Sequence, residues 1–97
     1  MQIFHNAVVY TGDDFTDAFA VEDGRFVAIG ADALALQGER IDLNGAFASF
    51  EEHTKGKIVP GHFADFVVLV EDMFRTAPAK IKDIPILQTW LEGKQVW

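Results

Sequence analysis

The sequence predicts a mainly β domain, and three stretches carry that reading. Asp23-Gly24 sits between two apolar runs, "AFAV" and "FVAI", which is the strongest short-range hairpin signal. Phe66 to Val70 is continuously apolar, as a central strand buried on both faces should be. "ILQTWLEGKQVW" repeats the same turn chemistry at Glu92-Gly93 and closes the chain as a second hairpin.

In chain order, "IFHNAVVYTGDD" reads as a β-rich run stopped by the turn cluster Gly12-Asp13-Asp14. A two-residue type I′ turn at Asp23-Gly24 needs φ > 0 at both central positions, which this pair tolerates. Its register sets Glu22 against Arg25 as an ion pair, Val21 against Phe26, and Phe19 against Ala28. "ADALALQG" follows as a short helix, with Asp32 in its first turn and Gly38 as its stop. "RIDL" is a short strand, and "FASFEEHTKG" reads as one or two helical turns ended by Gly56. A tight Pro60-Gly61 turn precedes the Phe66–Val70 strand. "TAPAKIKDI" reads as a helical turn with Pro78 near its start. Pro85 cannot donate to a ladder, so the next strand begins after it or lies at an edge. The total is six to eight strands and two or three short helices, with no linker and no repeat.

Length and charge narrow the function. At 97 residues the chain is one domain, far short of the roughly 250 residues of a barrel enzyme. A net charge of −7 disfavours nucleic acid and anionic membrane surfaces. There are no cysteines, so no disulfides and no thiolate metal site. No basic segment with a following apolar run marks a signal peptide, and no apolar stretch approaches the roughly 18 residues of a membrane span. The expectation is a cytoplasmic protein. Nine Phe and two Trp are more aromatic bulk than a chain of this size needs inside.

Two sets of motifs resemble the metal-dependent amidohydrolase superfamily, more narrowly its YtcJ-like branch. "NAVVYTGD", "AFAVEDGRFVAIGADALALQG" and "RIDLNG", within residues 1–45, are similar to the N-terminal segment of that family. "NGAFASFEEHTKGKIVPGHFADFVVLVEDMF" and "IKDIPILQTWLEGKQVW", essentially residues 46–97, are similar to its C-terminal segment, most specifically from Lys55 to Leu69. In the family these segments flank a catalytic (β/α)₈ barrel and build a small composite β-sandwich beside it. After "I-D-L-x-G" the family continues into "P-G-x-x-D-x-H-x-H", which supplies the first metal ligands. Here Asn44-Gly45-Ala46 runs directly into Phe47. The resemblance therefore implies a composite β-sandwich over residues 1–97 with no barrel between its halves. Closing the gap with a short loop costs little entropy.

No catalytic, cofactor-binding or metal residue follows from this sequence. Metal-assisted hydrolysis needs three or four converging ligands and an open position for water. His5, His53 and His62 form no H-x-H pair and match none of the family's ligands, so they read as surface or internally satisfied histidines. Asp65 stands at the family's "A-D" position and reads as a brace that accepts backbone hydrogen bonds before a buried strand. Glu51-Glu52 are adjacent, and adjacent helical residues do not face each other. Lys55, Lys57, Lys80 and Lys82 are scattered among acids and read as solvated. "GKIVPG" has neither Walker A spacing nor a following Ser or Thr, and no G-x-S-x-G elbow occurs.

The expected protein is a composite domain that is not an enzyme on its own and takes no cofactor. Its bare side, in the family covered by the barrel, suggests a homodimer with Phe47, Phe50, Phe74, Trp90 and Trp97 among the contacts, or a separate barrel partner. An assembly or binding module, and a relic or engineered deletion without function, are the alternatives.

Overall fold

A computed structural model describes residues 1–50, 57–70 and 85–97. Its strands are β1 (Gln2–His5), β2 (Val8–Tyr10), β3 (Phe15–Thr16), β4 (Phe19–Glu22), β5 (Arg25–Ile29), β6 (Glu39–Asp42), β7 (Phe47–Phe50), β8 (Phe66–Leu69), β9 (Ile86–Leu91) and β10 (Lys94–Gln95). One helix, α1 (Gly30–Leu34), follows β5. The strands form two mixed sheets, ordered β5-β4-β1-β6 and β10-β9-β8-β7-β2-β3. The mainly β class is as expected.

One sequence reading is refined here and one is corrected. The β-rich run "IFHNAVVY" holds two strands: it breaks at Asn6, whose φ of 55° turns the chain from the first sheet into the second. Asn is one of the few L-residues that tolerates this region. "FASF" is a strand, not a helical turn. It pairs parallel with β2 and antiparallel with β8, and its two middle residues, Ala48 and Ser49, are both buried. A strand enclosed on both faces loses the period-2 signal. These two changes and the short β3 give ten strands among the described residues. The helical turn expected over "TAPAKIKDI" and the Gly56 stop lie outside the described residues.

The core lies between the sheets. Phe4, Phe19, Val21 and Phe26 from the first sheet meet Val9, Ala48, Phe66, Val68 and Trp90 from the second. Phe66 is its hub. Its ring stacks on Trp90 at 5.5 Å and meets Phe4 and Phe19 edge-on at 5.2 and 4.9 Å, arrangements favoured by the ring quadrupoles. Residues of both segments therefore share one interior. The outer face of the first sheet is lined by Ile3, Ala18, Ala20 and Ala28 and is covered by Ala33 of α1. Alanines there let the short helix sit close to the strands.

The first hairpin has a register shift that the sequence did not reveal. Glu22 opposes Arg25 and Val21 opposes Phe26 as expected, but Phe19 opposes Ile29 and Ala20 opposes Ala28. A bulge inserts one residue into β5 and reverses the parity beyond it. Phe26 and Ile29 can then both pack on the inter-sheet core, while Ala28 turns to the helix side. An unbroken register would have put Ala28 opposite Phe19 and on the wrong face.

Candidate functional site

Both hairpin turns adopt the conformation their sequences predict, with φ of 51° and 78° at Asp23-Gly24 and 49° and 77° at Glu92-Gly93. They also meet. A Cβ on Gly24 would lie 2.9 Å from the Glu92 carbonyl oxygen, and one on Gly93 would lie 3.2 Å from the Gly24 Cα. The segment after the Pro60-Gly61 turn ties the two tips together. Ala64 N–H donates to the Gly24 carbonyl (2.8 Å), and Gly93 N–H donates to the Ala64 carbonyl (3.1 Å). Asp65 Oδ1 accepts the Glu92 N–H at 2.8 Å. The carboxylate thus braces a turn by accepting a backbone hydrogen bond, though the turn belongs to the second hairpin.

Arg25 is not in the expected ion pair with Glu22. Its Nη1 donates to the Gly61 carbonyl at 2.8 Å, and its guanidinium sits 4.2 Å from the centroid of the Phe63 ring. Glu22 Oε1 instead lies 3.6 Å from the Met1 amino nitrogen. The planar guanidinium gains more from a carbonyl and an aromatic face than from an exposed carboxylate.

The junction raised by the sequence forms a second site. Leu43 to Ala46 carries the chain from β6 to β7, beside the Asn6-Ala7 crossing from β1 to β2. Both flanking pairs, β1 with β6 and β2 with β7, are parallel, so the two crossings run side by side. Leu43 N–H donates to the His5 carbonyl (2.9 Å), Gly45 N–H to the Asn6 carbonyl (2.7 Å), and Val8 N–H to the Ala46 carbonyl (3.0 Å). Asn44 mirrors Asn6, with φ of 54°. Asp42 Oδ1 closes the corner by accepting the Asn44 N–H (2.7 Å) and the Asn6 side-chain amide (2.9 Å). These two bonds, the Asn44 one foremost, hold the Asp42 carboxyl below its ordinary value, with a smaller contribution from the charge of His5. The paired αL asparagines were not singled out from sequence; their only signal is that the chain's two Asn residues stand at matching places before Ala7 and Gly45.

Metal-assisted chemistry of the kind the resemblance implies needs at least three converging ligands. No group of three His, Cys, Asp or Glu among the described residues is placed to hold an ion. His5 faces Asp42 across the parallel pair. His62 is exposed beside the Pro60-Gly61 turn, and His53 lies outside the described residues. Lys57 is paired with Asp13 at 3.0 Å, an exposed contact of small energetic weight. Lys55, Lys80, Lys82, Glu51 and Glu52 lie outside the described residues. No helix among the described residues is long and apolar enough to cross a membrane.

Two mixed sheets around one aromatic core define a small, mainly β module. The sequence profile of the Amidohydrolase family matches residues 40–97, from β6 to the last residue, and the chain belongs to that family. Among solved structures it is similar to an uncharacterised metal-dependent hydrolase from Pyrococcus furiosus, with 25% identity and a TM-score of 0.45 over 50% of this chain. It is also similar to a D-hydantoinase from Bacillus sp. AR9, with 28% identity and a TM-score of 0.42 over 50% of this chain. The chain spans 13% and 11% of the length of those two proteins. No curated protein matches it.

Proposed function

We propose that this chain is a non-catalytic composite module of the amidohydrolase family, with a structural or assembly role instead of hydrolysis. The observation that carries this reading is the corner. Only Leu43 to Ala46 separates β6 from β7, at the point where the family resemblance places the departure into a barrel. The segments on either side already fill one core, so the corner needs no insert to hold its geometry. The purified chain should contain no stoichiometric zinc and should hydrolyse neither amides nor esters. Elemental analysis finding about one tightly held metal per chain, lost on His5→Ala, His53→Ala or His62→Ala, would overturn the reading.

A second reading, self-pairing, is favoured by the end of the second sheet. Leu91, Val96 and Trp97 are exposed around β9 and β10, and β10 is an edge strand. The contact expected from sequence needs revision. Trp90 is buried, stacked on Phe66, with its indole N–H donated to Gln88 Oε1. Phe47 and Phe50 are half-buried, and Phe74 lies outside the described residues. Trp97 keeps its place in the proposal, and Leu91 and Val96 join it. Light scattering at micromolar concentration should give the mass of a pair, and Trp97→Lys should halve it. A wild-type monomer would exclude self-pairing and leave a separate barrel subunit as the candidate partner.

A further inference from the structure

We propose that Asn44-Gly45 is this chain's site of spontaneous deamidation, and that the sheet-switching corner holds the reaction slow while it is closed. The chemistry needs a main-chain nitrogen that can approach the preceding asparagine's side chain. Glycine offers this best, because it has no Cβ to obstruct the approach. The chain has two asparagines, and only Asn44 precedes glycine. Asn44 and Gly45 are both exposed, and the space where a Gly45 Cβ would stand is empty to 4 Å, so solvent and base can reach the pair.

The reaction balances without an added reagent beyond water. The Gly45 nitrogen gives its proton to solvent base and bonds to Asn44 Cγ. The Cγ–Nδ2 bond breaks, and the amide nitrogen takes up a proton and leaves as ammonia. One water then opens the cyclic imide at either carbonyl, giving aspartate or isoaspartate at position 44.

Two contacts oppose the first step. The Gly45 N–H is donated to the Asn6 carbonyl at 2.7 Å, which stabilises the protonated nitrogen over the anion that must attack. The Asp42 carboxylate accepts the N–H of the preceding Leu43–Asn44 peptide at 2.7 Å, so its negative charge stands one residue before the Gly45 nitrogen and disfavours the anion further. Deamidation therefore proceeds through the opened corner. Its product keeps the corner from closing: isoaspartate lengthens the backbone between two parallel strand pairs, and either product sets a second carboxylate beside Asp42.

Peptide mapping by mass spectrometry on the full chain, aged at mildly alkaline pH, tests this. Aspartate and isoaspartate should accumulate at position 44 before any change at Asn6. The folded chain should react about tenfold or more slowly than the chain in concentrated urea, as expected of a site reached by local opening. Asp42→Ala should speed the reaction in the folded state, and hydrogen exchange should show the Gly45 amide protected in wild type and less so in the variant. Equal rates in folded and unfolded chains, prior reaction at Asn6, or an unprotected Gly45 amide would each overturn the proposal. If Asp42→Ala fails to fold, the wild-type rate ratio and the Gly45 exchange decide it alone.

Discussion

Gly24→Ala isolates what the meeting of the two hairpin tips is worth. The substitution places an L-residue at φ of 78°, which costs about 1–2 kcal/mol in the left-handed region. Its Cβ would stand 2.9 Å from the Glu92 carbonyl oxygen, part of the peptide whose Gly93 N–H is donated to the Ala64 carbonyl, and forced overpacking of that kind costs roughly 1–3 kcal/mol. Loss of freedom in the unfolded chain returns about 0.4–1 kcal/mol. The net destabilisation is then about 1–4.6 kcal/mol. Gly45→Ala is the control, because its φ of 79° is nearly the same while nothing lies within 4 Å of the new Cβ. It should cost only about 0–1.6 kcal/mol. Urea unfolding should show the Gly24 variant with the lower midpoint and all variants with the same slope. Gly93→Ala combined with Gly24→Ala should deviate from additivity by at least about 0.5 kcal/mol, since the two sites touch. Equal costs at Gly24 and Gly45, or strict additivity with Gly93, would refute the contact between the turns.

Phe66→Ala removes the ring at the centre of the aromatic core and should cost about 3–5 kcal/mol in urea unfolding, with the near-ultraviolet signal of Trp90 lost or reversed. Ala28→Leu pushes side-chain volume into the closely packed face beneath α1 and should cost roughly 1–3 kcal/mol, whereas Val27→Leu, at the exposed position beside it, should be near neutral by the same assay. Asp42 is held below the ordinary carboxylate value of 3.8 by the Asn44 and Asn6 bonds. Its stabilisation is therefore complete above that value and lost as pH falls through the lower folded value. Asp42→Asn should weaken the corner at neutral pH and flatten the acid limb of the stability curve below about pH 4, and a side-chain titration by NMR showing an undepressed Asp42 would contradict this.

What the sequence revealed depended on how local the signal was. The two Gly turns were legible because residue pair and conformation are fixed within two positions. The Phe66–Leu69 strand was legible because a short, continuous apolar run between turn residues fits a doubly enclosed strand. Of the two outcomes Pro85 allowed, a strand beginning after it or one at an edge, the structure has the first, with β9 starting at Ile86. The misses were decided by distant partners. β7 was hidden because its enclosure comes from β2 and β8, not from its own alternation. The bulge in β5 exists because Phe26 and Ile29 must face one side and Ala28 the other, a demand set by α1 and the opposite sheet. Arg25 left Glu22 for Gly61 and Phe63, which lie far along the chain. Trp90 was expected at an exposed contact, yet it packs between Phe4 and Phe66. The corner's structure was not legible, since Asn6 and Asp42 reach it from separate strands.

The claim that residues on both sides of the corner form one co-folded module is tested most directly by expressing residues 1–45 and 46–97 separately and recording amide NMR spectra of each alone and of the two mixed. Phe4, Phe19 and Phe26 of the first piece and Phe66 and Trp90 of the second share a single core, so each piece alone should give the narrow dispersion of an unfolded chain, and native dispersion should appear only when the two are together. A well-dispersed spectrum from either piece alone would contradict the account.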